Sequence, residues 1–225
     1  MKSPFPNPAL ELPDAFATAL LADRAALWRT VARGLSHELA NASQMLTLDP
    51  PGGAAITEAR DRVTRSAHVL AAFGRNEATT PPPCLASDVV VAVDQLQALQ
   101  TGFPGISFEL ALERSLPALA VSSTDLEHVL LSLVTNAKQS GARRIALRVH
   151  AESGGVALRV VDDGAGVPPE WTVRLFEPGA TTREGAHLGL GLVISRALME
   201  RWGGALAWQP SVRGACFVAH APAFR

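Results

Sequence analysis

The run VVDDGAGVP, Val160 to Pro168, ends a strand-like alternation on two carboxylates and then turns through Gly164 and Gly166. A carboxylate fixed at a strand end can accept a hydrogen bond from an exocyclic amine, while the glycines let a flat ring lie close to the turn. Taken alone, the run also fits a plain Asp-Gly turn. In DLEHVLLSLVTNAKQSGA the apolar positions 126, 129, 130, 133, 134 and 137 form the buried stripe of a helix,. Asn136 falls at the polar border of that stripe, where a neutral amide oxygen suits Mg²⁺, although taken alone a solvated or capping Asn is the commoner reading. In HLGLGLVISRALMERWGG, Gly189 and Gly191, with Gly185 upstream, stand before an amphipathic helix. Free amides at a helix start, with the dipole behind them, seat phosphates; a flexible loop before a helix has the same composition. Finally, LSHELANASQM carries His37. At about 100° per residue, Leu27, Val31, Leu35, Leu39, Ala42 and Leu46 lie about 80° to 200° away from it. His37 is therefore expected to face solvent, with Glu38 beside it and Asn41 one turn on.

These groups need a folded frame, and the composition supplies one. Of 225 residues, 48% are hydrophobic and 18% charged, which is globular rather than disordered,. The length suits two modules. A net charge of −1 gives no basic field for nucleic acid,. The two cysteines, Cys84 and Cys216, have neither metal spacing nor the numbers for a disulfide framework, so a cytoplasmic chain is expected,. Prolines at 4, 6, 8 and 13 interrupt the N-terminus, and no apolar run reaches the ~18 residues of a span, so no membrane insertion is expected,.

The periodicity predicts a helix from about Asp23 to Leu48, a break at DPPGG, and a second helix from Ala54 to about Phe73 carrying Ile56, Val63, Ala67 and Leu70 on one side,. Such an antiparallel hairpin has little core of its own, and pairing with a second copy gives a four-helix bundle. NEATTPPPCLAS reads as a stiff linker,. The expected division is therefore an extension over 1–22, a hairpin over 23–75, a linker over 76–87 and a second domain over 88–225. That domain is predicted to hold helices at 88–100, 123–140 and 188–202. Strands are predicted at ISFELAL, ALAV, RRIALRVHA, GVALRVVDD, GALAW and GACFVAHA, forming an α/β sandwich with helices on one face,. No internal repeat is present.

In this order and spacing, the three motifs of the second domain resemble the ATP-binding module shared by histidine kinases, the Hsp90 chaperone, type II topoisomerases and mismatch-repair ATPases. The resemblance covers about Leu85 to Phe224. The NA at 136–137 is similar to the N box, DDGAG at 162–166 to the G1 box, LFEP at 175–178 to the F box, and GLGL at 189–192 to the G2 box. RGACF at 213–217 resembles the closing glycine turn and last strand. The resemblance implies an α+β chain whose second domain is a sandwich of the Bergerat or GHKL type. It also implies ATP and Mg²⁺ as cofactors, Asp162 as the reader of adenine with Gly164 and Gly166 beneath the ring, and Asn136 as the metal contact. GATTREGAH matches the mobile ATP lid, in which Thr182, Arg183, Gly185 and Leu188 join Gly189, Leu190 and Gly191 around the nucleotide. Arg183 and Lys138 are candidates for phosphate contacts, and a solvated surface cation is the other reading of each.

SHELAN resembles the H box of the sensor histidine kinases of two-component systems, whose hairpin presents a phosphoacceptor histidine. By that resemblance His37 Nε2 attacks the γ-phosphate, Glu38 accepts the Nδ1 proton, and Asn41 positions water to hydrolyse a partner's phospho-aspartate. The implied partners are a response-regulator receiver domain, a second copy of the chain and, since about 22 residues precede the first helix, a separate sensor protein. The chain departs from the pattern at Ala42 and Ser43, where proline and leucine usually stand, at Ser132 for the first N-box asparagine, and at His187 for a glycine. It also has a short hairpin, with about a dozen residues between His37 and the turn. Two alternatives stand beside this reading. One is a histidine-phosphotransfer or scaffold protein with a degenerate nucleotide site. The other is an ATPase or serine kinase of the same fold, which would need a glutamate where Ser132 lies.

Overall fold

The computed structural model describes residues 14–47, 83–99, 106–177 and 190–224, with single positions at 53, 56, 57, 59, 60 and 63. Helix α1 runs unbroken over Asp14–Thr47. It begins earlier than the apolar periodicity predicts, directly after Pro13. AFATALLADRAAL is rich in strong helix formers. Residues 53, 56, 57, 59, 60 and 63 are helical, and Ala42 and Ala59 are buried. The rest of the predicted second helix lies outside the described residues. The expected linker ends inside structure: Cys84 bridges to Leu119, and helix α2 occupies Ala86–Leu99. Burial, followed by the Glu127 and Asp88 carboxylates, pushes the Cys84 thiol up to about 12, which leaves it protonated,.

Strands β1 (Ser107–Leu112), β2 (Arg144–Glu152), β3 (Gly155–Asp162), β4 (Ala205–Gln209) and β5 (Cys216–Pro222) form one sheet in the order β1-β2-β3-β5-β4. β1 runs parallel to β2, and the other pairs are antiparallel. The predicted ALAV strand is reduced to isolated bridges: Leu119 bridges Cys84 on one side and Ala223 on the other, with the Ala120 amide on the Pro222 carbonyl at 2.8 Å, and the segment is confined between Pro117, which has no amide, and the start of α3 at Ser123,. Helices α3 (Ser123–Gln139) and α4 (Gly191–Arg201) pack with α2 on one sheet face. Period two decides that face. Ile145, Leu147 and Val149 of β2, Val156, Leu158 and Val160 of β3, and Phe217, Ala219 and Ala221 of β5 point into the main core,. Ala157, Val161, Cys216 and Val218 form a small cluster on the other face.

Both site-forming helices stop on glycines. Gly141 (φ 79°) ends α3, with the Ala142 amide returning to the Ala137 carbonyl at 3.2 Å. Gly203 (φ 74°) ends α4, with the Gly204 amide on Met199 at 2.9 Å,. α4 begins at Gly191 with Leu190 outside the helix, whereas the sequence predicts a start at Leu188; residues 188 and 189 lie outside the described residues.

Candidate nucleotide site

Asp162 is the next inward-facing position after Val156, Leu158 and Val160, so the strand alternation puts a carboxylate where an apolar residue would continue the core. It is 5% exposed. Burial pushes its carboxyl up from the ordinary value, while the amides of Gly164 and Ala215 pull it back down,. Oδ1 accepts the Gly164 amide at 2.8 Å, which fixes the carboxylate at the mouth of the turn.

The turn around it is built for close approach. A Cβ on Gly164 would overlap Ser140 Oγ and lie 2.9 Å from the Ser140 carbonyl oxygen. Ser140 in turn holds the loop, its carbonyl accepting the Ala165 amide at 3.1 Å. Gly166 (φ 75°) and Gly214 (φ 68°) face each other in the left-handed region, and a Cβ on Gly214 would fall on the Asp162 carbonyl oxygen,. The second carboxylate has a different task. Asp163 Oδ1 accepts the Arg143 and Arg144 amides, both at 2.7 Å, and these bonds hold its carboxyl below the usual range. Asp163 thus ties the end of β3 to the start of β2, leaving Asp162 to face the site.

Asn136 and Lys138 lie on the last turn of α3, both half-buried, on the helix whose C-terminal Ser140 meets this turn. Burial lowers the Lys138 ammonium from 10.5 to about 8,. Ser132 is 7% exposed, and its Oγ lies 2.9 Å from where a Gly191 Cβ would be. It therefore sits at the seam where the start of α4 crosses α3. Leu175 and Phe176 of the LFEP run pack on the core, and the Arg196 guanidinium of α4 stands 5.3 Å from the Phe176 ring centre,. This pins one edge of the segment that follows. Leu190 and Gly191 are at the head of α4, whereas Thr182, Arg183, Gly185, His187, Leu188 and Gly189 lie outside the described residues. His37, Glu38 and Asn41 are on α1, and their side chains are outside the described set.

The structure brings Asp162, Gly164, Gly166, Asn136 and Lys138 to one end of the helix layer. Sequence reading missed Ser140 and the part played by Gly214. The signal for Gly214 was present in RGACF, a glycine directly before the strand that pairs with β3. Ser140 had none, because its partner Gly164 is remote in the chain.

A buried strand-end carboxylate over a glycine turn, beside the Asn136 helix and the Gly191-led helix, suits the adenine and phosphates of a nucleotide,. Residues 121–225 match the family model of histidine kinase-, DNA gyrase B- and HSP90-like ATPases. The chain is 30% identical to the C4-dicarboxylate transport sensor protein DctB of Rhizobium meliloti, over 87% of this chain and 35% of that protein. It is 39% identical to the sensory histidine kinase/phosphatase NtrB of Escherichia coli O157:H7, over 40% of this chain and 29% of that protein. The catalytic domain of histidine kinase ThkA superposes with a TM-score of 0.58 at 22% identity, covering 64% of this chain and 96% of that one. Residues 121–225 carry a GHKL-type ATP-binding domain, and the chain is similar to sensor histidine kinases. It spans 12% to 35% of the length of the first curated relatives it matches. Among the described residues no helix is long and apolar enough to cross a membrane.

Proposed function

We propose that this chain is an ATP-dependent protein-histidine kinase that phosphorylates its own His37 and passes the phosphoryl group to an aspartate of a response-regulator receiver domain. The observation that carries the proposal is the buried Asp162, oriented by the Gly164 amide and reached through Gly166 and Gly214, in a chain that also holds His37 on a long helix. In the reaction His37 Nε2 attacks the γ-phosphorus, the bond to the β–γ bridging oxygen breaks, and ADP leaves. Glu38 accepts a hydrogen bond from Nδ1–H, which keeps Nε2 the unprotonated nucleophile, and takes the Nδ1 proton as the N–P bond forms, leaving a neutral phosphohistidine ring. Asn41, one turn from His37, is suited to orient water for the reverse task of dephosphorylating the regulator. Leu39, Ile56 and Val63 are 41%, 46% and 44% exposed in the single chain, which supports pairing with a second copy along the hairpin,. ATP as co-substrate goes with a cytoplasmic location. The stimulus would arrive from a separate sensor protein or a region outside this chain.

Mg²⁺ fits this site as a nucleotide-borne ion. Among the described residues no three His, Cys, Asp or Glu side chains gather as a protein cage, and the half-buried Asn136 amide offers one oxygen,. When bound, the ion neutralises phosphate charge during transfer. Thr182, Arg183, Gly185, Leu188, Gly189, Leu190 and Gly191 would close around the phosphates from the lid side. The site is tested by titrating Asn136→Ala with ATP in the presence and absence of Mg²⁺. Wild type should bind about tenfold more tightly with Mg²⁺, and the variant should lose that difference; equal Mg²⁺ dependence in both would remove Asn136 from the metal site.

Lys138 gives the site a pH dependence. With its ammonium lowered to about 8, the charge is present below pH 8 and lost above it. If it meets the phosphates, ATP affinity weakens about tenfold between pH 7 and pH 9, where nine-tenths of the lysine is neutral. Lys138→Arg, which stays charged, should flatten that profile; an identical slope in the variant places the lysine away from the phosphates.

A further inference from the structure

The seam between α3 and α4 is held differently at its two ends. At the C-terminal end of α4, Trp202 Nε1 donates to Asp125 Oδ2 at 2.7 Å. Asp125 is 1% exposed, and its Oδ1 accepts Arg24 Nη2 of α1 at 2.8 Å, so directed hydrogen bonds clamp this end. At the head of α4 the contact is one of volume. A methyl group on Gly191 would stand 2.9 Å from Ser132 Oγ, and among the described residues no other atom outside its own helix and chain neighbours lies within 4 Å of it. The missing side chain of Gly191 therefore faces α3. Ser132 meets it from a run of buried apolar residues, Leu130, Leu131, Leu133 and Val134, in which a small polar side chain stands out.

We infer that Ser132 is a positioning residue for the nucleotide: the head of α4 rests on it, and position 191 is glycine so that α4 can settle there. The inference deepens the nucleotide site of the kinase reading above and rests on it. Ser132 and Asn136 are one turn apart on the same side of α3, about 6 Å along its axis,. The contact thus sets how far the free amides at the head of α4 stand from the Asn136 amide oxygen. Trp202 lies about 16 Å from Gly191 along α4, so with that end clamped a thicker side chain at 132 displaces the head,.

Two other roles differ from this one in what they require. A glycine kept for the approach of a phosphate would need the space at 191 whatever stood at 132. A serine acting as a ligand would need its hydroxyl. A spacer needs only that the two side chains together stay small, so a methyl group is tolerated at 191 once the hydroxyl at 132 is gone.

The test uses the full chain with Gly191→Ala, Ser132→Ala, Ser132→Val and the double variant Ser132→Ala/Gly191→Ala. ATP and adenosine Kd with Mg²⁺ are measured by calorimetry, adenosine carrying the ring that Asp162 faces and none of the phosphates. Gly191→Ala should bind ATP about fivefold more weakly and Ser132→Val about tenfold or more, since a branched side chain cannot turn away from the seam as a hydroxyl can. Adenosine affinity should stay within about twofold throughout. Ser132→Ala should match the wild type, and the double variant should regain ATP affinity to within about twofold of it. A double variant as weak as Gly191→Ala overturns the inference and returns the glycine to the phosphates. A loss in Ser132→Ala overturns it in favour of a hydroxyl ligand, and equal losses for adenosine overturn it in favour of general packing damage. Labelling of His37 is followed on the same wild-type preparation: a chain that binds ATP but leaves His37 unlabelled loses the kinase reading and keeps this one.

Discussion

Asp162→Asn binds ATP about 100-fold more weakly than the wild type while melting at nearly the same temperature. The substitution keeps the volume of a side chain that is 5% exposed. The Gly164 amide, at 2.8 Å, needs an oxygen and takes the asparagine carbonyl, which turns the new NH₂ toward the place of the adenine amine. Donor then faces donor in a shielded site, a loss of about 3 kcal/mol, or about 100-fold in Kd. The fold itself tolerates the change, because a buried carboxylate whose titration is pushed up by desolvation is replaced by a neutral group,. Calorimetric titration and a thermal melt of the same sample check both halves; a Kd within threefold of wild type would remove Asp162 from adenine recognition.

Gly214→Ala lowers stability by about 3 kcal/mol or more and impairs nucleotide binding as well, whereas Gly154→Ala costs about 1 kcal/mol and leaves binding intact. Both glycines hold positive φ, 68° and 85°. They differ in what a methyl group would meet. At Gly154 there is nothing within 4 Å, while at Gly214 the methyl falls on the Asp162 carbonyl oxygen, which is backbone and cannot swing aside,. Gly154→Ala therefore costs only the left-handed backbone. Gly214→Ala must also push β3 or the 211–214 turn, and Asp162 moves with either. Melting temperature and ATP Kd for the two variants separate these contributions, and equal losses in both would show that the Gly214 approach to Asp162 has no role in the site.

The core of this site is legible in the sequence because strands repeat at period two. Once Val156, Leu158 and Val160 are taken as inward, Asp162 must be inward too, and a carboxylate in that phase signals a ligand. Asn136 is placed in the same way by the helical stripe of α3. The Gly164–Ser140 packing, the Gly191–Ser132 seam and the Arg24–Asp125 pair escape such reading. Each joins residues far apart in the chain, and neither periodicity nor propensity carries tertiary pairing. α1 starts earlier than expected for a related reason: Phe16, Ala19 and Leu20 extend from Leu27 toward the ATP-binding domain, whereas the expected boundary rests on the stripe that runs from Leu27 on to Leu46. The ALAV segment alternates like a strand and pairs on both sides, but between Pro117 and the start of α3 it is too short for more than isolated bridges,.

The most direct measurement follows the γ-phosphate itself. The full chain is incubated with γ-labelled ATP and Mg²⁺ beside His37→Gln, and the labelled protein is treated with base and with acid. A phosphorus–nitrogen bond on His37 predicts label that survives base, is lost in acid and is missing from His37→Gln. An unlabelled wild type, or label that persists on His37→Gln, would contradict the assignment of this chain as a kinase acting on that histidine.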